Sequence, residues 1–243
     1  MQPWPYPRWV AHRGAGKLAP ENTLAAFRVG ASHGYTAFEC DVKLSADGVP
    51  FLLHDDTLER TTSGHGVAGE RTWSELARLD AGSWHSAVFA GEPIASFEAM
   101  ARYCLANDHR LDLEIKPSPG TDRATGRAVG EWVRKLWHGT PPLLSSFKTE
   151  SLAGARDSAP ELPRALLLDA LWPGCMETAA SLGCVAIITN HKLMNAALLG
   201  QIHGAGRRAW VYTVNEEARA RELIALGIDG IVTDAVDRLP FVR

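Results

Sequence analysis

Cysteine is scarce in this chain, and basic residues hold no excess. Four cysteines, Cys40, Cys104, Cys175 and Cys184, stand among 243 residues with no close pairing and no C-x-x-C. That spacing gives no support to a thiolate zinc site and fits reduced thiols packed as small apolar groups, as in a cytoplasmic protein. Lysine and arginine number 25 against 28 aspartates and glutamates, for a formal net charge of -3. No basic face invites nucleic acid, and no lysine/arginine run invites an anionic membrane. No apolar stretch approaches the ~18 residues of a spanning helix, so membrane insertion is not expected. The opening, Met1–Arg8, lacks the charged and apolar regions of a secretory signal. No Gly-x-Gly-x-x-Gly turn follows the first strand, which disfavours a doubly wound open sheet.

What is present is an alternation. Short β-rich runs fall at Arg8–His12, Ala37–Leu44, Leu111–Lys116, Leu143–Phe147, Ala165–Leu168, Val185–Thr189, Arg208–Val214 and Gly230–Thr233. Helical patterns follow most of them, at Glu21–His33, Ser96–Asn107, Arg123–Trp137, Lys148–Asp157, Met194–Ala205 and Glu216–Leu226. Strand–helix alternation means parallel strands, and eight such units are the count of a (β/α)8 TIM barrel. One domain is therefore expected over 1–243. The rhythm breaks between the second strand and second helix, where residues 45–93 read as a small insertion within the barrel rather than a separate domain. It opens with a hairpin turn, Leu44-Ser45-Ala46-Asp47-Gly48-Val49, followed by Pro50–His54. A four-residue loop over Ser45–Gly48 would pair Leu44 with Val49. It would set Asp41 opposite Leu52 and Glu39 opposite His54, on a shared sheet face.

Charged residues collect at the strand ends. Period-two geometry puts Glu39 and Asp41 on one face of the second strand, and Glu114 and Lys116 on one face of the next barrel strand. The residues between them, such as Phe38, Val42, Leu113 and Ile115, are apolar and call for cover by helices, which leaves the charges facing inward. Burying like charges together is costly, and a cation would relieve the cost. Glu39, Asp41 and Glu114 offer oxygen alone, which suits one hard divalent cation, Mg2+ or Ca2+. Lys116 would sit beside it and could hold a phosphoryl oxygen. Arg13, at the end of the first strand before Gly14-x-Gly16, is placed to grip a phosphate in bidentate fashion. His12 and His54 form a candidate acid/base pair for phosphoryl chemistry. Tyr212 ends its strand where it could line the pocket. His191 could face the barrel mouth but reads better as a surface loop residue. His65, His85 and the Trp73/Trp84 pair could contact substrate but read better as packing residues, and Asp112 shares the parity of Glu114 without an evident role.

The ordered set His12-Arg13-Gly14, Pro20-Glu21-Asn22-Thr23, Glu39-x-Asp41, His54-Asp55 with Arg60-Thr61, Glu114-Ile115-Lys116-Pro117, Ser145-Ser146-Phe147, Tyr212-Thr213-Val214-Asn215 and Gly230-Ile231-Val232-Thr233-Asp234 resembles the glycerophosphodiester phosphodiesterases. It spans nearly the whole chain, and the resemblance is strongest to the short cytoplasmic bacterial enzymes. The resemblance implies a metal-dependent (β/α)8 enzyme with a small insertion after the second strand. Such enzymes hydrolyse deacylated phospholipids, for example glycerophosphocholine and glycerophosphoethanolamine, to sn-glycerol 3-phosphate and an alcohol. It maps the histidine pair onto His12 and His54, the metal ligands onto Glu39, Asp41 and Glu114, and the phosphate contacts onto Arg13 and Lys116. Tyr212 stands where many relatives carry Trp. His12 is taken as base and His54 as acid, with the reverse open, and the nucleophile is water or the glycerol 2-hydroxyl. A small-molecule substrate is the expected partner, with a homodimer allowed. The rivals are a phosphodiesterase for intact lipids, which would want a membrane-docking loop, and a non-catalytic glycerol phosphate binder, which would usually have lost one of these side chains.

Overall fold

The computed structural model describes residues 4–239. The first three residues and last four of the chain, part of the Met1–Arg8 reading and of the expected 1–243 domain, lie outside the described residues. Eight parallel strands close a ring: β1 (Trp9–Ala11), β2 (Ala37–Leu44), β4 (Arg110–Ile115), β5 (Leu143–Ser146), β6 (Arg164–Leu168), β7 (Cys184–Asn190), β8 (Arg208–Tyr212) and β9 (Gly230–Thr233). The seam shuts where Ala11 of β1 pairs with Phe38 of β2 on one side and Trp9 pairs with Ile231 of β9 on the other. A short β3 (Pro50–Leu52) pairs antiparallel with the end of β2.

Helices α1 (Leu24–Ser32), α3 (Phe97–Ala106), α4 (Asp122–Leu136), α5 (Thr149–Ser158), α6 (Cys175–Ser181), α7 (Ala196–Gly204) and α8 (Glu217–Leu226) connect the strands. Several starts are fixed by side-chain caps. Thr23 Oγ1 accepts from Ala26 N at 3.2 Å, Ser96 Oγ from Ala99 N at 3.1 Å, and Asn195 Oδ1 from Leu198 N at 3.0 Å. Each satisfies a donor that the first turn leaves orphaned. The apolar faces of helices and strands meet in two buried layers, one around Phe27, Phe38 and Leu113 and the other around Leu166, Ile187 and Val211. Inside the ring, Val10, Ala37, Leu143, Leu167, Ile188, Trp210 and Val232 fill the interior below the rim. The strands are thus covered on both faces, as expected for parallel β, and the rim where they end is left for chemistry.

Residues 45–93 hold β3, a one-turn helix α2 (Trp73–Leu76) and two 3-10 turns. They gather a satellite cluster of Phe51, Leu53, Leu58, Ala68, Leu76 and Ala81 with Ile94. Glu92 Oε1 accepts from Ala25 N at 2.9 Å, which ties this segment to the first turn of α1.

The hairpin register differs from the sequence expectation by one residue. Leu44 pairs with Pro50, Lys43 with Phe51 and Val42 with Leu52. Ser45 N donates to Val49 O at 3.0 Å, so the loop is three residues, with Gly48 at φ +78 supplying the left-handed position. A three-residue hairpin loop ends in such a position, and the Asp47-Gly48 pair is better used there than in a four-residue loop. In this register His54 does not oppose Glu39. It reaches the rim because β3 stops at Leu52 and the chain turns, not through strand parity.

Candidate active site

The inward rows of β2 and β4 face one another: Glu39 pairs with Asp112, and Asp41 with Glu114. All four carboxylates are buried. One oxygen from each of Glu39, Asp41 and Glu114 lies within 4.8 Å of the others. Glu39 Oε1 and Asp41 Oδ1 are buried with no hydrogen-bond partner, although buried carboxylate oxygens ordinarily have one. A cluster of orphaned anionic oxygens is a donor set that fits a hard divalent cation. Its electrostatics carry the same message. Burial, then the neighbouring Asp41 and Glu114, pushes Glu39 well above the usual carboxylate range. Glu114 is pushed up to about 7, chiefly by burial and then by Asp41. Burial would raise Asp41 too, but Arg13, Lys116, His54 and the Asn22 hydrogen bond outweigh it and hold that carboxyl well below its ordinary value.

Two cations flank the cluster. Lys116 Nζ donates to Glu114 Oε1 at 3.0 Å and stands 3.5 Å from Asp41 Oδ1, and these anions raise its pKa against the opposing effect of burial. Arg13 Nε stands 3.4 Å from Asp41 Oδ2, Nη1 donates to Glu21 Oε1 at 2.7 Å, and the backbone N–H of Arg13 donates to Glu39 Oε2 at 3.0 Å. Arg13 adopts φ +50 and Asn22 φ +60, a left-handed conformation that non-glycine residues rarely take. The strain has local returns. It turns the Arg13 amide toward Glu39, and it lets Asn22 grip Asp41 twice, Nδ2 to Oδ2 at 2.8 Å and Oδ1 from the Asp41 amide at 3.0 Å.

Each histidine rests on a carboxylate. His12 Nδ1 lies 2.6 Å from Asp234 Oδ1, with Nε2 3.7 Å from Glu39 Oε2. Asn215 Nδ2 holds the other Asp234 oxygen at 3.0 Å. His54 Nδ1 lies 2.7 Å from Asp55 Oδ1. A carboxylate at Nδ1 fixes ring orientation and leaves Nε2 for proton transfer. Burial, helped by Arg13 and Lys116 and opposed by Asp41, lowers the His54 pKa.

A cavity of about 200 Å³ opens at this rim, lined by His12, Arg13, Glu39, His54, Glu114 and Lys116 among others. Asp41 joins this rim through its cluster with Glu39 and Glu114. Tyr212 lines the far wall with Phe147, their rings 5.7 Å apart and edge to face, and the Tyr212 hydroxyl lies 3.3 Å from Asp169 Oδ1. All eight side chains singled out in the sequence therefore meet at one rim. Asp112 lines the floor, and burial pushes it up to about 7. His85 Nε2 is bonded to the Lys17 carbonyl at 3.0 Å and Trp84 Nε1 to the Ala81 carbonyl at 2.8 Å, as packing residues would be. Sequence reasoning gave no role to Asp234, Asn22, Asn215, Glu21 or Arg60. The signal for Asp234 and Asn22 was there, a polar residue just past a strand end or in the turn after Pro20, but their partners lie 222 and 19 positions away.

Fold and rim together define a (β/α)8 barrel with an acidic cluster, fitted to a divalent cation, at the mouth of a small cavity. Comparison with known proteins takes this further. The glycerophosphoryl diester phosphodiesterase family model matches residues 12–238. The YhdW protein of Bacillus subtilis (strain 168) is 34% identical over 94% of each chain. A glycerophosphodiester phosphodiesterase of Caldanaerobacter subterraneus subsp. tengcongensis is 30% identical over 95% of each. An Oleispira antarctica phosphodiesterase, solved in complex with the product sn-glycerol-3-phosphate, superposes with a TM-score of 0.91 at 32% identity, covering 96% of this chain and 95% of that one. The chain belongs to the glycerophosphoryl diester phosphodiesterase family and is an enzyme of that phosphodiester-hydrolysing class. No helix among the described residues is long and apolar enough to cross a membrane.

Proposed function

We propose that this enzyme hydrolyses glycerophosphodiesters, deacylated phospholipids such as glycerophosphocholine and glycerophosphoethanolamine, to sn-glycerol 3-phosphate and a free alcohol. The observation that carries the reading is the rim itself: two carboxylate-backed histidines, two cations and three clustered carboxylates around one small cavity. The product complex of the Oleispira antarctica relative supports it at 32% identity. Glu39, Asp41 and Glu114 would hold one divalent cation, Mg2+ or Ca2+, which when bound would neutralise phosphate charge and polarise the phosphorus. Arg13 and Lys116 bind the remaining phosphate oxygens, Arg13 as a fork and Lys116 as a point charge. Tyr212 and Phe147 present an apolar wall to the carbon skeleton. In a cavity this small, the histidines are the proton carriers.

The two rings have unlike surroundings. His54 is drawn toward its neutral form, which suits the base. His12, held by Asp234 and facing Glu39, is suited to carry a proton to the leaving alcohol. This ordering is the reverse of the one first taken from sequence. Glycerol and glycerophospholipid metabolism is the setting such a reaction serves. A cytoplasmic location is supported by four buried cysteines without a disulfide, and the small-molecule substrate needs no second copy of the chain.

The test is glycerol 3-phosphate release from several glycerophosphodiesters by wild type, His12→Ala and His54→Ala, each with Mg2+, Ca2+ or excess chelator. Each alanine variant should lose about 10²–10⁴-fold in kcat. Near-wild-type turnover in either would remove that histidine from the chemistry. Undiminished turnover under chelation would remove the cation.

A further inference from the structure

Lys43 and Arg60 are charged residues that this chemistry leaves unused. Lys43 is wholly buried on the inward row of β2, two residues beyond Asp41. Its Nζ donates to Asp56 Oδ1 at 2.7 Å and to the Lys116 carbonyl at 3.4 Å. A buried ammonium persists only when paired, and this pair ties the barrel wall to the residue two places after His54. Arg60 makes two forks. Nε and Nη2 donate to Asp55 at 2.6 and 3.0 Å, while Nη1 and Nη2 donate to Glu21 at 2.8 Å each. Asp55 is the carboxylate behind His54, and Glu21 is the carboxylate behind Arg13. One guanidinium therefore joins the support of the histidine carried by residues 45–93 to the support of the arginine carried by the barrel.

His54 needs such a device. β3 ends two residues before it, and the hairpin register would point its position away from Glu39. Strand geometry does not aim this ring.

We propose that Arg60 and Lys43 are positioning residues that latch the His54-bearing segment to the barrel rim through Asp55 and Asp56, and so set the aim of His54 into the cavity. The catalytic consequence rests on the function proposed above. An exposed ion pair contributes little stability, but a doubly forked arginine restricts geometry, and a misplacement of about 1 Å at a reacting group can cost about 10²-fold in rate. Arg60 touches no substrate in this scheme.

A double-mutant cycle tests it: wild type, Arg60→Ala, His54→Ala and the double variant, measured as kcat and KM for glycerophosphocholine together with melting temperature. Arg60→Ala should lower kcat about 10- to 100-fold with KM within about threefold. Adding it to His54→Ala should cost nothing further, because its effect passes through that ring. Arg60→Lys, which keeps the charge and loses the fork, should fall between. Asp56→Asn loosens the second anchor while leaving Lys43 in place, and should repeat the pattern with a smaller loss. Additive losses in the double variant overturn the latch, as does wild-type kcat in Arg60→Ala and Asp56→Asn. The single His54→Ala variant separates the two failures. Full activity there sinks the two-histidine reading, whereas a large His54→Ala loss with additivity sinks the latch alone.

Discussion

His12 and His54 share a side chain and differ in surroundings. A base must be neutral to act, so if His54 is the base, as proposed, its lowered pKa would keep it competent at more acidic pH than an ordinary imidazole. The acidic limb of kcat/KM should accordingly fall below pH 6.5, the ordinary histidine value, and a limb at or above it would contradict the assignment. Asp234→Asn would replace the carboxylate behind His12 by an uncharged amide whose oxygen the Asn215 Nδ2 donor would claim, turning its NH2 toward His12. It should lower kcat about 10²-fold or more, with substrate binding little changed in a KM measurement. His12 was legible because Arg13 follows it, and His54 because it could partner His12 in proton transfer. Their supports were less so. Asp234, held in turn by Asn215, reaches His12 only after the ring has closed, and nothing in the local sequence records that closure.

At the scale of elements, strands were easier to place than the register between them. β2 and β9 lie where periodicity puts them, because apolar runs bounded by Gly, Pro and polar residues have few other uses. Helix α6 was not read, since seven residues after Gly174 carry too little of a helical stripe. The β2–β3 hairpin slipped by one because Ser45 joins the ladder instead of the loop. A one-residue difference changes which face each side chain occupies. The β1–α1 turn carries a sharper constraint. Gly16 has φ +56, and a Cβ there would stand 2.1 Å from the Asp234 carbonyl oxygen, which is backbone and cannot swing aside. Gly16→Ala should therefore cost about 3 kcal/mol, read as a drop in melting temperature, and should also lower kcat by shifting Asp234 against His12. A stable variant with full turnover would mean that the turn and β9 are not so tightly opposed.

For the whole molecule, the concentration of buried acid sets how stability responds to pH and to cations. Glu114 and Asp112 both have folded pKa values raised to about 7, above their ordinary 4.5 and 3.8. The folded state thus holds protons that the unfolded chain has released. That stabilisation is complete below about pH 4 and is lost as pH rises through 7. Chelator-treated protein should melt at a falling temperature between pH 5 and 8, and added divalent cation should flatten the fall. A melting temperature indifferent to the cation at pH 8 would count against Glu39, Asp41 and Glu114 as its ligands. The amino-acid sequence by itself determined parallel strands alternating with helices, and the count of eight units without a Gly-x-Gly-x-x-Gly turn favoured a closed barrel over an open sheet. It also determined the chemical types at the rim, because strand-end residues need no long-range partner to be recognised. Tertiary structure alone decided which carboxylate backs which histidine, how Arg60 and Lys43 tie residues 45–93 to the barrel, and which way His54 points. The His12–Asp234 and Arg60–Glu21 contacts join positions 222 and 39 apart in the chain, and even the neighbouring His54 and Asp55 are aimed by a turn that local sequence does not record.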